Sequence, residues 1–432
     1  MKSIEEIYEL FLQHPFVFTD SRLAARGGIF FALKGEQFDG NAFALQALLQ
    51  GAHFAVVDQV ELAQVPGCIW VQNVLKALQD LANFHRRMLT IPVLAITGTN
   101  GKTTTKELIA NVLSQKFNVL STNGNLNNHI GVPLTLLSIN SSHDIAVIEM
   151  GANHLEEIDF LCKIAEPDYG LITNVGKAHL EGFGSFEGVK QTKSELYRFI
   201  ANKGKAIFIN IDNEDLVGLA AGNVKQYTYA VHNEKAQLLG EAVGDDLFVV
   251  AKVLFDKGWL YLKSKLTGKY NLENILAAVR IGLFFGLDPL LIQQGVEAYE
   301  PTNKRSQIMQ KDSATILLDC YNANPSSMHV SILNFMQIKK SGKVMVLGDM
   351  LELGDASFQE HQKIIDSIAL DLCEQVILVG SNFMETNAPD TFIKLKEIEE
   401  IKTFVNKDWA KNKFILVKGS RGIRLEKLLE WI

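Results

Sequence analysis

The sequence predicts an α/β protein of three units: a small α/β unit at the N-terminus, a central mostly parallel sheet with added antiparallel strands, and a C-terminal Rossmann-like α/β unit. Three observations carry this. Short continuous apolar runs of buried-strand type alternate with helical patterns. A Gly-rich loop follows one such run and opens a helix. The 432 residues are about three times the ~150 of one ordinary domain.

Up to about residue 90 the pattern is short strands and helices, punctuated by turns at Gly27-Gly28, Lys34-Gly35 and Asp39-Gly40. Pro92 then precedes a β-rich run, Val93 to Thr97. The apolar runs IAVIEM (145–150), GLITNV (170–175) and AIFIN (206–210) follow, with helical patterns between them. That alternation argues βαβ units and a parallel sheet. The stretch 222–268 differs, with alternating segments such as DLFVVAKVLF and GWLYLKSKL that read as antiparallel hairpin strands added to the same unit. Near Pro301 a second α/β series begins, with TILLDC, KVMVLGDM, EQVILVG and FILVKGS as its strands. The units expected are therefore 1–90, 91–300 and 301–432.

Composition bounds the function. With 47% hydrophobic and 21% charged residues, 32 Gly and 9 Pro, the chain is ordinary globular material, not disordered or fibrous. The 49 acidic residues against 42 basic leave a net charge of -7, with no long basic run, so no nucleic-acid footprint is expected. The four cysteines are scattered without a CxxC pair, which argues against a disulfide framework or zinc site and for a reducing compartment. The opening MKSIEEIYELFLQHP carries acids where a signal peptide carries bases, and no run reaches the roughly 18 apolar residues of a membrane span. A cytoplasmic protein without membrane insertion is expected.

The sharpest local signal is Gly98-Thr99-Asn100-Gly101-Lys102-Thr103-Thr104, lying between the β-run and the pattern KELIANVLSQ. A strand, a Gly-rich loop and a helix N-terminus make a P-loop ATPase-like phosphate cradle: glycines admit close approach, and backbone N–H groups and the helix end supply partial positive charge. Lys102 would reach the β- and γ-phosphates, and the Thr103 hydroxyl would take a Mg²⁺ ion. The loop is shorter than the usual GxxxxGK[ST], with Ile96 where the first glycine would fall. Glu149 ends the run IAVIEM, and a carboxylate at a strand's C-terminal edge faces the ligand crevice of an open sheet. It either holds Mg²⁺, directly or through water, or is a solvated strand end. A lone histidine is usually structural, but His179 follows GLITNV in a Gly-rich loop, which favours a role in the site.

GTNGKTTT, TNGNLNNHIGVPLTLL (122–137), IEMGANH (148–154) and NVGKAHLEGFGS (174–185) together resemble the Mur ligase family, the ATP-dependent amide-forming ligases of peptidoglycan precursor synthesis. The resemblance continues through YNLENILAA (270–278), Lys304-Arg305, DCYNANPSS (319–327), GDMLELG (348–354) and VKGSR (417–421), so it spans all three units in order. Within the family, DxYNANPxS and GDMLELG resemble members that add D-alanyl-D-alanine to UDP-N-acetylmuramoyl-tripeptide. The opening DSRLAARGGIFFALKGEQFDG (20–40) resembles the family's UDP-sugar-binding domain.

The resemblance implies a first unit that binds the UDP-muramoyl substrate, a central ATP-binding unit and a third unit that takes the incoming D-Ala-D-Ala. It implies an ATP site from Gly98 to Thr104, with Asn271 and Asn274 at the adenine, Asp319 at the ribose and Arg305 on phosphate across the cleft. Thr103, Glu149 and His179 would line Mg²⁺ sites, joined by Lys193 in QTKSELY, which the family carbamylates with CO₂. Asn127 and Asn128 would lie near the muramoyl-peptide, and Ser21 with Arg22 near the uridine diphosphate. Lys102, Glu149, His179, Lys193 and Arg305 would carry the catalysis, in a chain that commonly acts as a monomer. Tyr270 stands where many members carry His, and Lys304 where Gly is commoner.

The implied chemistry explains these residue types. A carboxylate is a poor electrophile, so ATP first converts it to an acyl phosphate, and the dipeptide's amine then displaces phosphate. The first step brings two anions together, so neutralisation by Lys102, Mg²⁺ and Arg305 should dominate. Substrates from three units must meet, so closure should carry Arg305 and Asp319 toward Lys102. Asp349 and Glu352 either touch the dipeptide or cap a helix, and Lys418 and Arg421 either meet an anion or form a surface turn. Two other readings remain: a Mur-type ligase adding one amino acid, and a nucleotide-binding regulatory module without catalysis.

Overall fold

Ser3 starts the first helix, α1 (Ile4–Gln13), with a capping box in which its hydroxyl accepts from the Glu6 N–H and the Glu6 carboxylate accepts from the Ser3 N–H. The computed structural model describes residues 2–178, 180–203, 205–220, 222, 224–244 and 247–432. After α1 come β1 (Val17–Phe18), β2 (Ile29–Phe31), the small antiparallel hairpin of β3 (Lys34–Gly35) and β4 (Phe38–Asp39), α2 (Ala44–Leu49), β5 (Phe54–Val57) and β6 (Cys68–Trp70). Strands β1-β2-β5-β6 form a parallel sheet in that order. The 15-residue α3 (Val74–Met88), capped by Asn73, leads onward. Ile7 and Phe11 of α1, Phe31 of β2 and Leu78 and Leu81 of α3 share one apolar core with Val93 and Ile148 of the next sheet. The first unit is therefore seated on the second by apolar burial.

The central sheet is built from β7 (Val93–Thr97), β8 (Val119–Ser121), β9 (Ile145–Glu149), β10 (Tyr169–Ile172), β11 (Ala206–Asn210) and β12 (Lys225–Tyr229). All are parallel, in the order β12-β11-β10-β7-β9-β8. Its helices are α4 (Lys102–Leu113), α5 (Gly131–Leu137), α6 (Glu157–Ala165), α7 (Leu180–Phe183), α8 (Phe186–Lys203) and α9 (Glu214–Leu219). Strands β7, β9 and β11 are buried along their whole length, as expected of a sheet covered on both faces. The order reverses about β7, which puts a ligand crevice at the C-terminal ends of β7, β9 and β10.

The antiparallel addition is narrower than the sequence suggested. Among the described residues only β13 (Gly240–Val243), β14 (Phe248–Phe255) and β15 (Gly258–Thr267) form it, while β12 joins the parallel sheet as its edge. The residues Gln226-Tyr227-Thr228-Tyr229 alternate polar and aromatic, and alternation carries no information on strand direction. Helices α10 (Asn271–Phe284) and α11 (Pro289–Ala298) close a second core between this sheet, α4 and β7.

The last sheet has the order β16-β17-β21-β18-β19-β20, from β16 (Gln307–Lys311), β17 (Ala314–Asp319), β18 (Lys343–Gly348), β19 (Gln375–Val379), β20 (Ile393–Leu395) and β21 (Phe414–Lys418). Only β16 runs antiparallel, and the rest are parallel. Helix α12 (Pro325–Gln337) follows β17, and α13 (Ser357–Asp366), α14 (Ser381–Glu385) and α15 (Lys407–Ala410) complete the unit. The C-terminal ends of β17 and β21 present Asp319 and Lys418 toward the central sheet.

Candidate active site

The loop after β7 is shaped by two glycines in backbone conformations that L side chains rarely adopt, Gly98 at φ +145° and Gly101 at φ +76°. A Cβ on Gly98 would stand 2.0 Å from Thr173 Oγ1, so the loop closes tightly on the end of β10. Asn100 is tied to the same strand end: its N–H donates to Asn174 Oδ1 at 2.9 Å, and its carbonyl accepts from Thr173 Oγ1 at 2.7 Å. Lys102 opens α4 and donates its Nζ to the carbonyls of Gly98 (2.8 Å) and Thr99 (3.0 Å). Burial in the loop pulls the Lys102 ammonium down to about 8; the Glu149 carboxylate opposes this and the Arg305 guanidinium adds to it.

Glu149 ends β9 and is 1% exposed, so it is not a solvated strand end. Its Oε1 accepts from Thr103 Oγ1 at 3.2 Å and from Asn127 Nδ2 at 2.8 Å. Its Oε2 has no hydrogen-bond partner among the described residues, and the nearest cation, Lys106 Nζ, is 4.0 Å away. A buried carboxylate oxygen left open beside a threonine hydroxyl and a phosphate loop fits a hard cation such as Mg²⁺. Among the described residues no group of three or more His, Cys, Asp or Glu could hold a metal. A cation here would share protein oxygens with phosphate oxygens, the usual way Mg²⁺ is bound with nucleotides. His179 lies outside the described residues.

Lys193, in the middle of α8, is 3% exposed. Burial, reinforced by the nearby Lys102 ammonium, pulls its amine down to about 7. It is therefore no surface lysine. Near neutral pH a large fraction is the free amine, the form that can add CO₂.

The pair Asn271 and Asn274 sits at the start of α10. Asn271 Nδ2 donates to the Thr267 carbonyl at 2.7 Å, Asn274 Nδ2 donates to Asn271 Oδ1 at 2.8 Å, and Thr105 Oγ1 of α4 donates to Asn274 Oδ1 at 2.9 Å. From the last sheet, Asp319 Oδ2 accepts from Lys418 Nζ at 2.6 Å, which makes Lys418 a buried partner and not a surface turn. The Arg305 guanidinium lies 3.9 Å from the Tyr321 ring centroid, and its Nε has no hydrogen-bond partner among the described residues.

One cavity of about 710 Å³ is lined by Lys102, Glu149, Asn271 and Asn274 from the central unit and by Arg305 and Asp319 from the last, whereas Lys193 of α8 is not among its lining residues. Thr99, Asn100, Gly101, Thr103, Thr104, Asn127 and Asn128 line it too. Ser21 and Arg22 stand apart from it, in a turn of the first unit where Arg22 is paired with Asp20 at 2.6 Å. Asp349 is absent from its walls as well. That carboxylate is 2% exposed and accepts from the N–H groups of Asn382 (2.8 Å) and Phe383 (3.0 Å), so it caps the start of α14. Arg421 lines a smaller adjoining cavity of about 310 Å³ with Lys304 and Arg305.

Sequence reasoning missed the contact that joins the two sheets. Asn324 caps α12 through Oδ1, which accepts from the Ser327 N–H at 2.9 Å, and its Nδ2 donates to Asn100 Oδ1 at 2.8 Å. Asn100 Nδ2 in turn donates to Ser326 Oγ at 3.2 Å. The signal available was Asn-Pro at a helix start, which announces a cap but not a second partner for it.

Comparison with known proteins gives one consistent set of relatives. Residues 96–282 match the model of the Mur ligase middle domain, and residues 304–421 that of the Mur ligase glutamate ligase domain. The UDP-N-acetylmuramoyl-tripeptide–D-alanyl-D-alanine ligase of Bacillus subtilis (strain 168) is 34% identical over 430 residues, covering 96% of this chain and 92% of its own length. A crystal structure of MurF from Acinetobacter baumannii superposes with a TM-score of 0.86 at 31% identity, covering 96% of this chain and 92% of that one. The MurF ligase from Thermotoga maritima, solved in complex with ADP, gives 0.84 at 26% identity, covering 100% and 98%.

Proposed function

The chain belongs to the Mur ligase family, and from that premise and its site we infer that it joins D-alanyl-D-alanine to the terminal carboxyl of UDP-N-acetylmuramoyl-tripeptide, consuming ATP. It is an ATP-dependent carbon–nitrogen ligase of peptidoglycan precursor synthesis that uses Mg²⁺. The observation that carries this reading is the convergence on one cavity of the Lys102 loop, the open oxygen of Glu149 and, from the opposite sheet, Arg305.

The reaction runs in two balanced steps. A tripeptide carboxylate oxygen attacks the γ-phosphorus of ATP, the bond to the β-phosphate oxygen breaks, and ADP leaves an acyl phosphate. The dipeptide's free amine then attacks the acyl carbon, loses a proton, and phosphate departs as the amide forms. Mg²⁺ held beside Thr103 and Glu149 would supply positive charge for the phosphate oxygens. Lys102 neutralises the β- and γ-phosphates from the loop and Arg305 from across the cleft. Thr103 and Glu149 orient the cation's side of the site, and Asn127 carries the Glu149 contact toward the tripeptide.

Several assignments rest on the resemblance, and a place in the cavity wall supports those of Asn128, Asn271, Asn274 and Asp319. Residues 1–90 would hold the UDP-sugar with Ser21 and Arg22 at the diphosphate, 91–300 the ATP, and 301–432 the incoming dipeptide. Asn271 and Asn274 would meet the adenine, Asp319 the ribose, and Asn128 the muramoyl-peptide. Lys193 as a carbamate would turn a cation into a carboxylate oxygen donor, for which its burial and depressed amine are the physical support. His179 remains a metal-side residue on the resemblance alone.

Among the described residues no helix is long and apolar enough to cross a membrane. A monomer in the cytoplasm, with small-molecule substrates and no nucleic acid, fits the mild negative charge and the reading of the sequence.

The test is phosphate release from ATP and Mg²⁺ with UDP-N-acetylmuramoyl-tripeptide, with D-Ala-D-Ala present or withheld. Steady release that needs both substrates, with a product heavier by the dipeptide, is the expected result. Release with neither, or none at all, points to the regulatory module. Turnover with a single amino acid moves the chain to another step of the pathway.

A further inference from the structure

Two neighbouring charges on α4, Lys106 and Glu107, have no part in the chemistry above, yet both are held. Lys106 is 2% exposed and donates Nζ to the Thr122 carbonyl at 2.7 Å. It stands 4.0 Å from Glu149 Oε2 on one side and 3.7 Å from Glu107 Oε1 on the other. The Glu107 carboxylate is not among the groups lining the main cavity. Its Oε2 accepts from Tyr299 Oη at 2.8 Å, and its Oε1 accepts from Asn303 Nδ2 at 3.0 Å.

Tyr299 and Asn303 belong to the segment that leaves α11 and enters the last sheet at β16. Arg305 lies in that segment, between two non-glycine residues in the left-handed region, Lys304 at φ +54° and Ser306 at φ +50°. Such a turn persists only where its surroundings over-determine it. On the side of the last sheet, Lys304 Nζ is bonded to Glu426 Oε1 at 3.0 Å, and the Ser306 N–H to Asp319 Oδ1 at 3.2 Å. On the side of the central unit, the Ser306 hydroxyl is bonded to Tyr270 Oη at 3.2 Å, and Glu107 holds the stretch that leads into the turn, through Tyr299 and Asn303.

We propose that Glu107 is a positioning residue for Arg305: by accepting from both Tyr299 and Asn303, it clamps the interdomain segment to the phosphate-loop helix and fixes the turn that delivers the Arg305 guanidinium into the nucleotide cavity. The proposal rests on the reading of Arg305 as a phosphate-neutralising group. Glu107 suits the task because a carboxylate accepts at both oxygens, whereas an amide in its place offers one acceptor and one N–H₂ group. Tyr299 is 6% exposed, and burial followed by the Glu107 carboxylate raises its hydroxyl well above the ordinary value, so it stays a donor. The clamp runs from the loop that holds the phosphates to the segment that carries the opposing cation, over nearly 200 residues of chain.

The experiment compares Glu107→Gln, Arg305→Ala and the double variant in the full-length enzyme, reading kcat, KM for UDP-N-acetylmuramoyl-tripeptide and the thermal midpoint. Glu107→Gln is expected to lower kcat about 10- to 100-fold, the range of a lost hydrogen bond to a charged group, with KM and the thermal midpoint little changed. Arg305→Ala should cost about 10²- to 10³-fold. The double variant should be no worse than Arg305→Ala alone, because the clamp has nothing left to position. Tyr299→Phe, which removes one donor, should show the same non-additivity with a smaller loss. Multiplying losses in the double variant, or a Glu107→Gln enzyme with unchanged kcat beside an impaired Arg305→Ala, overturns the clamp and leaves the role of Arg305 intact. An Arg305→Ala enzyme at full rate overturns both readings, and does so through Arg305 alone.

Discussion

Asn324 Nδ2 donates to Asn100 Oδ1 at 2.8 Å, so the residue that caps the first helix of the last sheet is also the one that grips the phosphate loop. One side chain does two separable jobs, because the cap uses Oδ1 and the grip uses the amide nitrogen. Asn324→Asp keeps the cap and loses the grip. It should leave the thermal midpoint within a few degrees while kcat falls about 10- to 100-fold. Asn324→Ala loses both and should cost about 1 kcal/mol of stability as well. Thermal melts beside steady-state rates separate the two, and an Asp variant with full activity would show that the contact has no part in turnover.

Glu149 is buried with one oxygen engaged and one open. Glu149→Gln preserves shape and removes the charge that a cation needs. The expected loss in kcat is about 10²- to 10³-fold. The extra thermal stabilisation that Mg²⁺ gives in the presence of ADP should disappear with it, since that increment measures cation binding to the folded state. A variant that keeps the increment would remove Glu149 from the cation's shell.

Lys193 falls from an ordinary 10.5 to about 7, chiefly by burial. Below about 7 the ammonium dominates and cannot add CO₂; above it the free amine can. Activity measured after stripping CO₂ should therefore be restored by bicarbonate increasingly well as pH rises from 6 to 8. An ordinary lysine would remain almost wholly ammonium across that range. Lys193→Ala should be inactive and regain part of its rate with formate or acetate. The stability linkage has the same sign: between about 7 and 10.5 the unfolded chain binds the proton that the folded one has released, so this residue's contribution to stability rises with pH across that window.

Two glycines give a paired stability test. A Cβ at Gly98 would stand 2.0 Å from Thr173 Oγ1 at φ +145°, whereas one at Gly124, φ +54°, would meet nothing within 4 Å. Gly98→Ala carries both a clash and backbone strain and should lose nucleotide binding along with several kcal/mol, roughly twice or more the ~1 kcal/mol expected for Gly124→Ala. Equal midpoints for the two variants would contradict the tight closure of the loop on β10.

Asp349 lies in a motif read as a dipeptide contact or a helix cap, and its two accepted N–H bonds make it a cap. Asp349→Asn should lower stability by about 1–3 kcal/mol with KM for D-Ala-D-Ala unchanged. A selective rise in that KM at constant thermal midpoint would return the residue to the dipeptide.

The sequence read well where the signal was local. The loop after Val93–Thr97 and the strand ending in Glu149 emerged as the pattern implied, because periodicity and turn chemistry act over a few residues. Direction failed at Lys225–Tyr229, which alternates like a hairpin strand but joins the parallel sheet at its edge. Ser21 and Arg22, expected at the uridine diphosphate in the first unit, lie in that unit outside the walls of the main cavity.

What the sequence determined by itself was the kit: a phosphate loop on a strand–helix joint, a carboxylate at a sheet edge, a buried-strand α/β architecture, and motifs in the order of one ligase family. What only the tertiary structure decided was how that kit is charged and tied together. Desolvation of Lys193, the open oxygen of Glu149 and the grips of Asn324 on Asn100 and of Glu107 on Tyr299 depend on atoms far apart along the chain. Burial and electrostatic energy are set by the surroundings of a group in space, and local patterns in a sequence do not record those surroundings.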